Sequence, residues 1–365
     1  MDIVELFLAF FTAGLVSFLI TPLVIFIYRK YGWLDNPKAK NHPKVIHRYP
    51  VPRGGGIIIF VSLLICSLIF LPLDKHLIAI LIGGFILAGI GTLDDIFDLN
   101  PYLRLLFGLL ACLCVVSGGI GIAFISNPFG SVIRLDQPQV PLFLFGKLRH
   151  IWVLADLFAL LWILGCINFV NWSKGIDGQL PGIVLIAAIT IGISSFKYSA
   201  DITQWPVAVL SFLTAGAFAG FLPFNFYPQK IMPGYGAGAL AGFMLAVLSI
   251  LATAKVGTLF MVLGIPLIDA SFVMMQRILK GKSPVWGDAG HLHHKLLKLG
   301  WGKRRIAMFY WGVSLVLGIL ALRLSPQGKL YTIIVLILIL GTFFLWDKRF
   351  ATLLFRPDPD NGSKT

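Results

Sequence analysis

Charge is scarce in this sequence. Only 13% of its 365 residues are Asp, Glu, Lys or Arg, about half the share typical of soluble domains. Acidic side chains are fewest, 16 against 30 Lys and Arg. Cysteine is limited to Cys66, Cys112, Cys114 and Cys166. All four fall in apolar runs without zinc or disulfide spacing, which leaves buried structural thiols as their reading. Internal repeats and low-complexity tracts are missing, and only the tail RPDPDNGSKT reads as disordered. No long polar stretch separates the apolar runs, which excludes a separate soluble domain. The start, MDIVE, is acidic and lacks a basic region or small-residue cleavage site, so the first apolar run reads as a retained helix and not a signal peptide.

What is there is hydrophobic length. Apolar residues make up 58% of the chain, and mean hydropathy is +0.88. Eleven apolar runs follow one another, over residues 3–28, 55–73, 77–92, 103–125, 151–169, 180–196, 206–221, 238–253, 256–278, 306–322 and 331–346. Runs of this kind predict membrane-spanning helices. The expected fold is all-α, a polytopic bundle of about 11 transmembrane helices, with residues 1–346 as one domain and 347–365 as a tail. With eleven crossings, 22 of the 30 Lys and Arg lie in one set of loops and in the C-terminal tail. The positive-inside rule makes that set cytoplasmic and puts the N-terminus outside. A net charge of +14 suits lipid headgroups or a phosphate-bearing substrate, with no nucleic-acid partner expected.

Four polar clusters fall in the cytoplasmic set. In GTLDDIFDLNP, Asp94, Asp95 and Asp98 are spaced so that Asp94 and Asp98 share a helix face. Three carboxylates at a membrane boundary repel unless a cation or a shared proton relieves them; a solvated acidic turn is the plainer reading. In NFVNWSKGIDG, Asn168 and Asn171 lie one helical turn apart, and Gly175 and Gly178 flank Asp177 close to Lys174. Amides can read a nucleobase or a sugar, Asp177 can meet a ribose, a metal or Lys174, and a capped turn between spans is the alternative. In GDAGHLHHKLLKLGW, His291, His293 and His294 follow Asp288 and precede Lys295 and Lys298. The spacing is not that of a zinc site, and it fits a phosphate-holding patch. The first loop carries Lys44, His47 and Arg53 ahead of three glycines, either an anion-binding turn or a connector. Asp269, in IPLIDA, is a carboxylate within the membrane that reads as support for the site.

With these four motifs in this order, the sequence resembles the polyprenyl-phosphate N-acetylhexosamine-1-phosphate transferases over residues 1–345. KVIHRYPVPRGGG resembles the first-loop signature, LDDIFDL the acidic motif, NFVNWSKGIDG the NxxN…DGxDG motif, and HLHHKLLKLGW the histidine motif of GlcNAc-type members. The resemblance implies a multi-pass inner-membrane enzyme that is dependent on Mg²⁺, or on Mn²⁺. It would move a sugar-1-phosphate from a UDP-N-acetylhexosamine to a polyprenyl phosphate, release UMP, and open a cell-wall or surface-polysaccharide pathway. A homodimer is implied too. Carried onto this chain, Asp94 and Asp95 are the catalytic carboxylates, and with Asp177 they are the metal ligands. Lys44, His47, Asn168, Asn171, Lys174, Asp177, His291, His293 and His294 hold the substrates.

Two positions depart from that pattern. Lys174 stands where the family has Asp, and in GYGAG, residues 234–238, Tyr235 stands where it has a metal-binding Asp. Exchanging a carboxylate for an ammonium shifts the local charge by about two units, and a lysine can supply part of the charge a metal would bring. A polyprenyl-phosphate or nucleotide-sugar binding protein without transferase chemistry is the rival reading. An ion-coupled transporter is a third, although its charged positions belong at mid-bilayer.

Overall fold

The computed structural model describes residues 3–37, 49–144, 147–196, 201, 203–252, 255–283 and 290–354. Lys44, His47 and Asp288 lie outside the described residues. Along the chain run α1 (Ile3–Lys30), β1 (Leu34–Asp35), β2 (Val51–Pro52), α2 (Gly55–Phe70), α3 (Lys75–Phe97) and α4 (Pro101–Ser117). They are followed by β3 (Phe124–Ile125), β4 (Ile133–Arg134), β5 (Gln139–Leu144), β6 (Lys147–Trp152), α5 (Val153–Trp172), α6 (Gln179–Phe196) and α7 (Gln204–Asn225). The chain continues as α8 (Gly234–Leu251), α9 (Lys255–Val262), α10 (Gly264–Leu279), α11 (Leu292–Lys298), α12 (Lys303–Arg323) and α13 (Pro326–Leu354).

Among the described residues, eight helices are long and apolar enough to cross a membrane: α1, α3, α5, α6, α7, α8, α12 and α13. The pair α9 and α10 makes a ninth if taken as one span, while α2 and α4 are shorter apolar helices. The chain is a multi-pass membrane protein. The ninth apolar run is bent by 84° between Val262 and Gly264. Its sequence, VLGIP, accounts for the break, because Pro266 offers no amide to the carbonyl of Val262 and its ring crowds that carbonyl.

The all-α expectation needs amending in two places. The fourth run is helical only to Ser117, and the stretch before α5 pairs as antiparallel strands, β3 with β4 and β5 with β6. Pro138 and Pro141, in VPLFL and its surroundings, disfavour a helix there. The acidic motif also differs from its expectation. Helix α3 stops at Phe97, and Asp98 takes a left-handed conformation (φ 55°) as its C-cap, so Asp94 and Asp98 do not share a helix face.

Helix α8 is the centre of the bundle. Its sequence, GYGAGALAGFMLAVLSIL, is rich in glycine and alanine, and every residue from Gly234 to Ser249 is buried. Small side chains let membrane helices approach to backbone contact. Helices α2, α3 and α5 all pack on it. At the crossing with α2 and α3, a side chain on Gly56 or Gly91 would meet the Gly236 backbone. This crossing brings the C-terminal end of α3 and the N-terminal ends of α2 and α8 together.

Candidate functional site

The site grows from that junction. Gly234 has φ +65°, and a Cβ there would overlap both the Asp95 carboxylate and the Arg53 carbonyl. Only glycine allows the turn into α8 to pass so close. The Tyr235 amide, in the first turn of the helix, donates to Asp95 Oδ1 at 2.9 Å. Free amides at a helix N-terminus favour a negative partner. One residue earlier in α3, Asp94 is buried. It accepts from the Leu99 amide at 3.0 Å and from Arg104 Nη1 at 3.1 Å. The strand pair β1–β2 adds a further ion pair, Arg53 with Asp35.

The SKGIDG turn reaches the same point from the end of α5. Lys174 Nζ donates to the Gly234 carbonyl at 2.8 Å. Loss of water around this half-buried ammonium lowers its pKa, Asp95 and Asp94 pull it back up, and Arg53 and Arg104 push it down again. The two departures from the family pattern touch each other. Lys174 Nζ lies 5.8 Å from the centre of the Tyr235 ring, and the Arg104 guanidinium lies 5.4 Å from the same ring. The Tyr235 hydroxyl donates to the Arg104 carbonyl at 3.3 Å.

Three residues further along, Asp177 is buried and paired with Lys303 Nζ of α12 at 3.1 Å. The Gly178 amide donates to Asn225 Oδ1 at 3.0 Å, and the Asn225 amide group reaches the Ile231 carbonyl at 2.9 Å. Asn225 thus ties the 174–178 turn to the segment leading into α8. Asn171 is buried against α8 in the space left by Gly238, and its Oδ1 has no hydrogen-bond partner among the described residues. Asn168 turns back on its own helix and donates to the Leu164 carbonyl at 2.8 Å.

The histidines close the other side. Asp269, just past the α9–α10 break, contacts His291 Nδ1 at 3.0 Å and accepts from the Leu292 amide at 2.9 Å. A carboxylate facing Nδ1 favours the tautomer with its proton there, leaving Nε2 to act as the acceptor. His293 lies between His291 and His294, with ring centres 5.6 Å and 4.3 Å away. It packs so tightly on the SKGIDG turn that a Cβ on Gly175 would overlap its ring.

Burial, and then the neighbouring His294 and His291, push His293 well below the ordinary histidine value. The sign of the resulting pH dependence is fixed. Below about pH 6.5 the unfolded chain binds a proton at this ring and the folded chain does not, so stability falls on acidification. We expect the parent to lose on the order of 1 kcal/mol of stability per pH unit from this residue, and His293→Gln to be less sensitive. Thermal unfolding in detergent between about pH 7 and 5, read by size exclusion, checks this. Equal acid sensitivity in both proteins would contradict it.

Among the expected site residues, Asp94, Asp95, Lys174, Asp177, His291 and His293 are linked through Gly234, Gly175, Asp269 and Lys303, and His294 lies against His293. Among the described residues, the hydrogen bond of Asn168 goes to the Leu164 carbonyl and not to this network. Arg104, Lys303 and Asn225 join this network, and sequence reasoning does not single them out. Arg104 and Lys303 count only toward topology in the sequence, Lys303 as the start of a KRR run, and Asn225 is a polar residue just past an apolar run.

The donor set bears on the metal expectation. Among the described residues, no three His, Cys, Asp or Glu side chains stand close enough to hold one ion. Asp94 is engaged by Arg104, Asp177 by Lys303, and Asp95 by an amide with Lys174 close by. As arranged, these carboxylates do not fit a shared divalent cation.

Comparison with known proteins agrees with the motifs. The glycosyl transferase family 4 model matches residues 77–253, from α3 through α8. A Bacillus subtilis protein named "Probable undecaprenyl-phosphate N-acetylglucosaminyl 1-phosphate transferase" is 28% identical over 348 residues, covering 92% of this chain and 90% of its own. The decaprenyl-phosphate N-acetylglucosaminephosphotransferase of Mycobacterium leprae is 28% identical over 339 residues, 84% of this chain and 80% of its own. A Streptococcus pneumoniae phospho-N-acetylmuramoyl-pentapeptide-transferase is 26% identical over 337 residues, 85% of this chain and 96% of its own. With matching motifs, matching order and relatives aligned over most of their length, the chain is similar to glycosyl transferase family 4 and to polyprenyl-phosphate N-acetylglucosamine-1-phosphate transferases.

Proposed function

We propose that this protein transfers N-acetylhexosamine-1-phosphate from a UDP-N-acetylhexosamine, UDP-GlcNAc first, to undecaprenyl or another polyprenyl phosphate, releasing UMP. The observation that carries the reading is the contact chain Asp95–Gly234–Lys174–Gly175–His293, which joins three separate family motifs at one end of the bundle. In the reaction a phosphate oxygen of the lipid bonds to the β-phosphorus of the UDP-sugar. The bond from that phosphorus to the bridging oxygen breaks, and UMP leaves with the electron pair. Such transfer needs positioning and charge neutralisation more than covalent help.

Asp94 orients the attacking phosphate, or takes its proton, and holds the Arg104 guanidinium beside it. Asp95 fixes the α8 N-terminus and the Lys174 ammonium. Asn171, Asp177 and Asn168 belong to the nucleotide-sugar side, and His291, His293 and His294 to the phosphate side, with Asp269 positioning His291. Lys44 and His47 complete the phosphate grip in this reading. Members of this transferase class use a divalent metal, and Mg²⁺ is the ion the resemblance implies. No step here runs through it, because the carboxylates that would hold it are engaged elsewhere.

The same reading includes eleven crossings within residues 1–346, an N-terminus outside, an active site on the cytoplasmic face of the inner membrane, and a homodimer. The concentration of Lys and Arg in one set of loops supports the orientation. UMP release by the purified protein, with undecaprenyl phosphate and a panel of UDP-HexNAc donors, tests the activity. Release that needs both lipid and donor is expected. Binding of UDP-sugar or lipid without any release would favour the binding-protein alternative.

A further inference from the structure

Lys174 and Tyr235, the two residues that depart from the family pattern, belong to one cationic cluster with Arg104. We propose that Lys174 and Arg104, both held close to the Tyr235 ring, are a resident cation pair that takes the diphosphate of the nucleotide sugar in place of a divalent metal. This assignment rests on the transferase reading and deepens it.

Three observations carry it. First, the carboxylates are already engaged. Asp35 and Asp94 are paired with Arg53 and Arg104, and Asp95 accepts from the Tyr235 amide with Lys174 close by, which leaves them poorly placed to draw in a metal ion. A dication at this point would stand beside two fixed cations and be repelled by both. Second, the cations are held in place by the protein. Lys174 is fixed by the Gly234 carbonyl at 2.8 Å, Arg104 by Asp94 at 3.1 Å, and the Tyr235 ring lies within 6 Å of both. An aromatic face near cations in a water-poor site stabilises their charge.

Third, donors remain for a ligand. An ammonium has three N–H groups and a guanidinium five. Among the described residues, Lys174 gives one to Gly234 and Arg104 gives one to Asp94. Both side chains are half-buried, not sealed. A diphosphate presents paired oxygens at the spacing that a guanidinium fork and a neighbouring ammonium can meet. The assignment also explains why Lys174 and Tyr235 occur together. The lysine provides the charge, and the ring lies within 6 Å of both cations.

The test uses the full chain in detergent, freed of metal by EDTA. UDP binding is measured by calorimetry and UMP release is measured with undecaprenyl phosphate and UDP-GlcNAc, each with EDTA or with excess Mg²⁺. We expect UDP affinity and UMP release to change by no more than about twofold between the two conditions. Lys174→Ala should weaken UDP binding by about 10- to 100-fold, the loss of one charge-assisted bond. Lys174→Arg should retain most of that affinity and serve as the control for folding. Release and binding that vanish in EDTA and return with Mg²⁺ would overturn the proposal while leaving the transferase reading standing. Unchanged UDP affinity in a folded Lys174→Ala protein would overturn it as well. Neither release nor UDP binding under any condition would remove the transferase reading and this inference with it.

Discussion

Asp94→Asn lowers the turnover number for UMP release by about 10²- to 10⁴-fold, the range of general acid–base and orienting groups. The substitution keeps the size of the side chain and its bond from the Leu99 amide, made at 3.0 Å in the parent. What it removes is the charge that holds Arg104. Loss of a catalytic carboxylate acts on the chemical step, so KM for the UDP-sugar should move far less than kcat. The pH profile then separates two roles. A phosphate monoester loses its second proton near pH 6. If Asp94 takes that proton, the deficit of the variant shrinks as the pH rises and the lipid phosphate arrives as a dianion. If Asp94 acts by fixing Arg104, the deficit is constant with pH, and Arg104→Lys shows a similar loss. Activity of Asp94→Asn within about threefold of the parent at every pH would end the assignment.

The fold was more legible than the site, for a physical reason. A helix in a bilayer must be apolar along its length and satisfy its own backbone, so it writes itself into composition. Each of the eleven apolar runs therefore begins or contains a helix. The exceptions lie where composition has no single meaning. VLGIP is apolar and yet breaks the ninth run, and the residues before α5 pair as a hairpin within an amphipathic stretch. The site was legible as motifs, since Asp94, Asp95, Lys174, Asp177 and the histidines are each unusual in an apolar chain. Their partners were not. Lys174 meets Gly234 and Tyr235 across 60 residues of sequence, and Asp177 meets Lys303 across 126. Lys303 begins KRR, a run that reads as a topology signal because surface lysines at a membrane boundary look the same before the helices are packed.

Lys303→Met carries the largest expected cost in stability. The Asp177 side chain is only 2% exposed and Lys303 only 16%, so removing the ammonium strands a carboxylate in a place water hardly reaches. Breaking a buried pair from one side costs about 3–5 kcal/mol, whereas replacing both partners with neutral groups of similar volume is often close to neutral. The double variant Asp177→Asn with Lys303→Met should therefore recover most of the thermal stability lost in Lys303→Met. Activity separates structure from function in the same set. If Asp177 serves only to anchor α12 to the 174–178 turn, the rescued double variant regains UMP release along with its stability. If Asp177 also contacts the nucleotide sugar, stability returns while KM for the UDP-sugar stays raised by about tenfold or more, the loss of one hydrogen bond to a charged group. Thermal unfolding of the four proteins of the cycle, with UMP release at several donor concentrations, measures both. A single Lys303→Met protein as stable as the parent would mean that the pair contributes nothing to the fold.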